Sequence, residues 1–135
     1  MKIKLNEEII EYCKILKLKG IRTHFEEVME EATDYEDFLH KLLTYEMEEK
    51  DKRSIDCRIR NAHLPYRQYF EDIEMDCLPA DMQRKLPELA TLDFIEKGKN
   101  IIMTGNPGTG KTMVSIALGL KACMAGYKVL FTTVP

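Results

Sequence analysis

No stretch of this 135-residue chain approaches the roughly 20 consecutive apolar residues that a membrane-spanning helix needs. The lysines near the N-terminus are followed by Glu7 and Glu8, which interrupt the apolar core of a secretory signal. The four cysteines, Cys13, Cys57, Cys77 and Cys123, have no C-x-x-C spacing and no His-x-x-x-His partner, so neither a zinc site nor a disulfide framework is expected. Free thiols in a cytoplasmic protein, with no membrane partner, are the expectation. Internal repeats and low-complexity tracts are also missing.

What is present is charge, unevenly placed. Residues 1–75 hold 13 Lys or Arg against 18 Asp or Glu, and residues 76–135 hold 7 against 5, consistent with the net charge of −3. This asymmetry divides the chain into an N-terminal helical domain, 1–75, and a second part, 76–135. In the first, Asn6 is a plausible helix start, and Ile9, Ile10, Cys13 and Leu16 form an apolar face that Gly20 should end. A second helix is predicted from about Arg22 through Glu31, burying Phe25, Val28 and Met29. Thr33-Asp34-Tyr35-Glu36 reads as a capping box opening a third helix near Asp34, in which Phe38, Leu39, Leu42, Leu43 and Met47 repeat at helical spacing.

Glu46 to Arg53 is almost wholly charged, with Glu46–Lys50, Glu48–Lys52 and Glu49–Arg53 at the favourable four-residue spacing, so this part of the helix should face water. Lys50, Lys52, Arg53, Arg58 and Arg60 make a locally basic stretch within an acidic half. Such a helix end can hold DNA phosphates, and a charge run can equally form a solvated face; composition by itself favours the latter. Leu64-Pro65 should stop the helix. Tyr66, Tyr69 and Phe70 fall in the connector, where aromatics usually anchor a linker. Pro79 and Pro87 should each open a short helix, ending before Gly98.

The most informative segment is Gly105-Asn106-Pro107-Gly108-Thr109-Gly110-Lys111-Thr112, a complete G-x-x-x-x-G-K-T phosphate-binding loop. Its glycines let the backbone turn tightly and aim N–H groups at an anion, and the phosphates sit on a helix N-terminus that favours negative charge. Lys111 supplies a cation for the β and γ phosphates, and Thr112 a hydroxyl for the accompanying Mg2+. The flanks fit: the apolar run 100–104 reads as a strand, Met113 to Met124 as a helix stopped by Gly126, and 127–133 as a second strand. The fold class expected is therefore α/β, a small helical domain followed by the first βαβ unit of a P-loop NTPase with an incomplete parallel sheet, binding ATP or GTP.

The residues from Leu89 to Asn100, the loop itself, Ile116 to Cys123 and Gly126 to Thr133 together resemble the IstB family. These are AAA+ ATPases encoded beside the transposase of bacterial insertion sequences, similar to DnaC-type helicase loaders. Tyr35-Glu36-Asp37-Phe38-Leu39 is similar to a segment of the family's helical head. The resemblance implies an ATP-dependent, DNA-binding helper that assembles as a homo-oligomer on DNA and regulates the transposase's choice of target. Only Gly105 to Thr112 carry over position by position, because the family's Walker B strand, sensor and arginine finger lie beyond Pro135. Weak nucleotide binding and negligible hydrolysis are accordingly expected of this chain, since phosphoryl transfer needs more than the loop. Two other readings stay open: a helicase loader whose head grips the helicase, and a non-catalytic helical interaction protein with a remnant loop.

Overall fold

The structure, a computed structural model, describes residues 2–134. Its elements are α1 (Lys2–Leu16), α2 (Lys19–Glu31), α3 (Tyr35–Ala62), α4 (Ala80–Leu89), α5 (Asp93–Glu96) and α6 (Lys111–Met124), with 3-10 turns at Phe70–Asp72 and Met75–Cys77. The chain divides into two compact units, Met1–Ser54 and Ile55–Pro135. The division falls inside α3, so the last turns of that helix belong to the unit that carries the glycine-rich loop.

In the first unit, Phe25, Val28 and Leu42 are buried among Ile9, Ile10, Ile21, Ala32, Phe38 and Tyr45. The expected helices form, but three boundaries move. Lys17, not Gly20, ends α1: it takes a positive φ of 60°, and Leu18 N–H donates back to Cys13 O at 2.8 Å, closing the last turn. Gly20 instead lies in the first turn of α2, against α3. The cap of α3 is shifted one residue from Thr33: Asp34 Oδ1 accepts from Asp37 N–H at 2.8 Å, and Asp37 Oδ2 accepts from Thr33 N–H at 3.1 Å.

The apolar stripe of α3 is wider than the surface that covers it. Leu42 is buried, whereas Leu39, Leu43 and Met47 are exposed, as is Met29 of α2. The charged segment also departs from expectation. Among the described residues, none of the three four-residue pairs between Glu46 and Arg53 closes to an ion pair. Glu46 is instead buried, accepts from Ile21 N–H at 3.1 Å, and meets Arg53 at 3.5 Å two turns along. A carboxylate that can reach the orphan N–H groups at another helix's start gains more there than from an exposed partner on its own helix.

The second unit is built around α6. Val114, Ile116 and Leu120 are fully buried, each worth about 1.5–3 kcal/mol in apolar burial, and the core extends through Ile73, Leu78, Leu86, Leu92, Ala117 and Leu118. Gly126 stops the helix with φ 103°, while Tyr127 N–H donates to Ala122 O at 2.9 Å. Pro87 does not open a new helix. It sits near the end of α4, where its missing N–H removes one bond, and Ala90 N–H still reaches Leu86 O at 2.9 Å.

The expected α/β organisation is corrected: among the described residues there is no strand and no sheet, so the βαβ unit with its incomplete parallel sheet is not formed. Residues 101–103 and 127–131 keep the two-residue alternation of extended chain. Ile101 and Met103, then Tyr127, Val129 and Phe131, are half-buried, with Ile102, Lys128 and Leu130 exposed between them. Propensity selects an extended backbone, but a strand also requires a neighbour to accept its ladder bonds. Here Phe131 N–H donates to Ala62 O at the end of α3, at 2.8 Å, and not to the 100–104 segment.

Candidate functional site

Residues 105–110 form a turn, exposed at 105–108 and half-buried at Thr109 and Gly110, that feeds directly into the first residue of α6. Gly105, Gly108 and Gly110 adopt φ values of 154°, 84° and 85°, backbone that a β-carbon strains. Gly110 is constrained twice, because a β-carbon there would lie 2.8 Å from Leu78 Cδ2. Thr109 Oγ1 donates to Asn106 O at 2.9 Å and braces the turn. The Lys111 ammonium folds back over the loop, donating to Gly105 O and, at 3.0 Å, to Asn106 O.

Pro107 to Met113 line a recess of about 550 Å3, and Cys77 and Leu78 line it with them. Thr112 is exposed at the second position of α6. Gly110, Lys111, Thr112 and Met113, at the start of α6, are among the residues lining this recess, and the positive end of a helix favours an anion. The recess therefore gathers a glycine-framed turn, an ammonium resting on carbonyls, an exposed hydroxyl and a helix start. Leu78 and Cys77 escaped sequence reading, since they precede the loop by some thirty residues and carry no motif. Cys77 is exposed, and its hydrogen bond to the Glu74 carboxylate pushes the thiol up from its ordinary range.

The five basic residues singled out on α3 are not gathered on one face, since at 3.6 residues per turn their positions fan round the helix. Lys50 and Lys52 are exposed. Arg53 is engaged with Glu46, and Arg58 Nε donates to Cys123 O at 2.8 Å, satisfying a carbonyl in the last turn of α6. Arg60 is exposed and lines a separate recess with His63, Tyr66 and Arg67. No group of His, Cys, Asp and Glu among the described residues could hold a metal by itself, and no described helix is long and apolar enough to cross a membrane.

A loop of this kind at the head of a buried helix is the arrangement of nucleotide-binding proteins, and comparison with known proteins places the chain in that class. It belongs to the IstB-like ATP-binding family: the family model described as "IstB-like ATP binding protein" matches residues 12–135. The chain is 37% identical over 133 residues to a Geobacillus stearothermophilus protein named for ATP binding in insertion sequence IS5376, covering 96% of this chain and 53% of that protein. It is 36% identical over 120 residues to the corresponding IS21 protein of Pseudomonas aeruginosa, covering 86% and 45%. With an IS21-like protein of Bacteroides fragilis it shares 32% over 131 residues, covering 94% and 66%. The chain thus spans about half to two thirds of the length of these relatives.

Proposed function

We propose that this chain is the ATP-binding part of a helper protein of DNA transposition. The observation that carries the reading is the turn 105–110 feeding α6, with the Lys111 ammonium held over it by the carbonyls of Gly105 and Asn106. The β and γ phosphates of ATP enter the recess, taking hydrogen bonds from the turn's amides and the first N–H groups of α6. Lys111 exchanges its two carbonyl partners for phosphate oxygens, which a mobile four-carbon stem permits. Mg2+ neutralises phosphate charge when bound, and the exposed Thr112 hydroxyl is the oxygen this chain offers it.

The relatives described above are named for insertion sequences, which supports transposition over helicase loading. Duplex DNA, a transposase encoded by the same element and further copies of the chain are the partners this role requires.

Thermal unfolding with and without ATP and Mg2+ tests the nucleotide site. Ligand at a hundredfold excess over its Kd should stabilise the protein by about 2.7 kcal/mol, and Lys111→Ala should lose most of that shift. Equal shifts in the two proteins, or none in either, would sink the assignment.

A further inference from the structure

The four arginines between positions 53 and 67 separate into two that bond to protein and two that do not among the described residues. Arg53 and Arg58 are committed, to Glu46 and to the Cys123 carbonyl. Arg60 and Arg67 are not: among the described residues neither has a carboxylate within 4.0 Å, and neither side chain makes a hydrogen bond to protein. The two guanidinium groups nevertheless line one concavity of about 650 Å3, together with His63, Tyr66, Leu64 and a single carboxylate, Asp56.

The walls of this concavity are anchored. Ala62 is fully buried and its carbonyl accepts from Phe131 N–H at 2.8 Å. His63 leaves the helix with φ 55°, which turns the chain sharply, and Leu64 returns to α6, its Cδ2 lying 3.4 Å from where a β-carbon on Gly119 would be. The polar side chains therefore project from a backbone fixed on both sides. Tyr66 is 48% exposed and lines the concavity.

We propose that this recess binds a single strand of nucleic acid, with Arg60 and Arg67 on successive phosphates and Tyr66 stacked on an unpaired base. Two unpaired guanidinium groups suit any phosphate, being planar donors that engage oxygens in pairs. The exposed aromatic ring selects among phosphate ligands, because every unpaired base offers a π face, whereas a phosphopeptide or a lipid headgroup has no use for one. A base within a duplex is already stacked on both sides. The inference does not depend on the nucleotide reading, since it concerns residues 56–67 and is measured without ATP.

Fluorescence anisotropy with labelled dT15, an equal-length duplex and a phosphoserine peptide, at several salt concentrations, provides the test. Tyr66→Ala should weaken dT15 binding by about 5- to 160-fold, the range for loss of one stacked base, while Tyr66→Phe retains it. Arg60→Ala and Arg67→Ala should each lower the slope of log affinity against log salt by about 0.7. These residues are exposed, and unchanged circular dichroism will verify that the variants fold. A 5-iodouracil strand cross-linked to the unsubstituted protein should attach within residues 56–67. Unaltered dT15 affinity in the variants, cross-links mapping elsewhere, or equal binding of the phosphopeptide through the same residues would each overturn the proposal.

Discussion

The Glu46 carboxylate, 6% exposed in the middle of a charged run, accepts a hydrogen bond at 3.1 Å from the backbone N–H of Ile21, at the start of the neighbouring helix. Leu18, which precedes α2, has no capping side chain, so α3 supplies the cap from outside. Replacing Glu46 with Ala leaves Ile21 N–H without this acceptor and Arg53 without its carboxylate. The expected loss is about 1–3 kcal/mol, read as a lower urea midpoint for helix unfolding. Lys50→Ala, on the exposed side, should change the stability by less than about 0.5 kcal/mol.

Gly20 makes that contact possible. A β-carbon there would lie 2.6 Å from the Tyr45 carbonyl oxygen, so Gly20→Ala must push α2 away from α3. Glycine to alanine within a helix ordinarily stabilises by up to about 1 kcal/mol, through propensity. Here the sign should reverse, with a net loss of about 1–3 kcal/mol from overpacking. A Gly20→Ala protein as stable as the parent would show that the two helices are not held at this separation.

Asp37 links stability to pH. Its carboxyl lies below the ordinary value of 3.8, first because Thr33 N–H donates to it and then because Lys41 pairs with it at 3.1 Å. A carboxyl lowered in the folded state contributes stability that is complete above its unfolded pKa and disappears as pH falls through the folded one. Asp37→Asn should therefore cost stability at pH 7 and lose less of it on acidification below about pH 4. Parallel acid-unfolding curves for the two proteins would contradict this assignment.

At the loop, two glycines with nearly equal φ values should respond differently. Gly108→Ala meets nothing within 4 Å and incurs only the left-handed backbone penalty, about 1–2 kcal/mol. Gly110→Ala incurs the same penalty and also drives into Leu78 Cδ2. ATP-dependent thermal stabilisation should fall further in Gly110→Ala than in Gly108→Ala, and Leu78→Ala should restore part of it in the double variant. Equal losses in the two single variants would remove Leu78 from the wall of the site.

Much of the molecule was legible because its determinants are local. Helix α2, most of α1 and α3, and the stop at Gly126 follow from apolar spacing, a nearby acid and a residue that tolerates positive φ, all within a few positions of one another. The octapeptide 105–112 was legible for the same reason, each of its groups being specified by one residue in a short turn. Periodicity identified apolar residues but not which of them find cover, so Leu39, Leu43 and Met47 read as core and are exposed.

The sequence by itself determined that α1, α2, α3 and α6 form, that Gly126 ends α6, and that 105–112 is a glycine-rich turn leading into a helix; these depend on interactions within one or two turns of backbone. Only the tertiary structure decided that Glu46 caps a different helix, that Leu78 closes against Gly110, that Arg58 serves the end of α6 while Arg60 and Arg67 make no ion pair among the described residues, and that 100–104 and 127–133 do not pair as strands. Each of those outcomes depends on a partner distant in sequence, and a hydrogen bond or close contact between distant residues leaves no periodic trace in either segment.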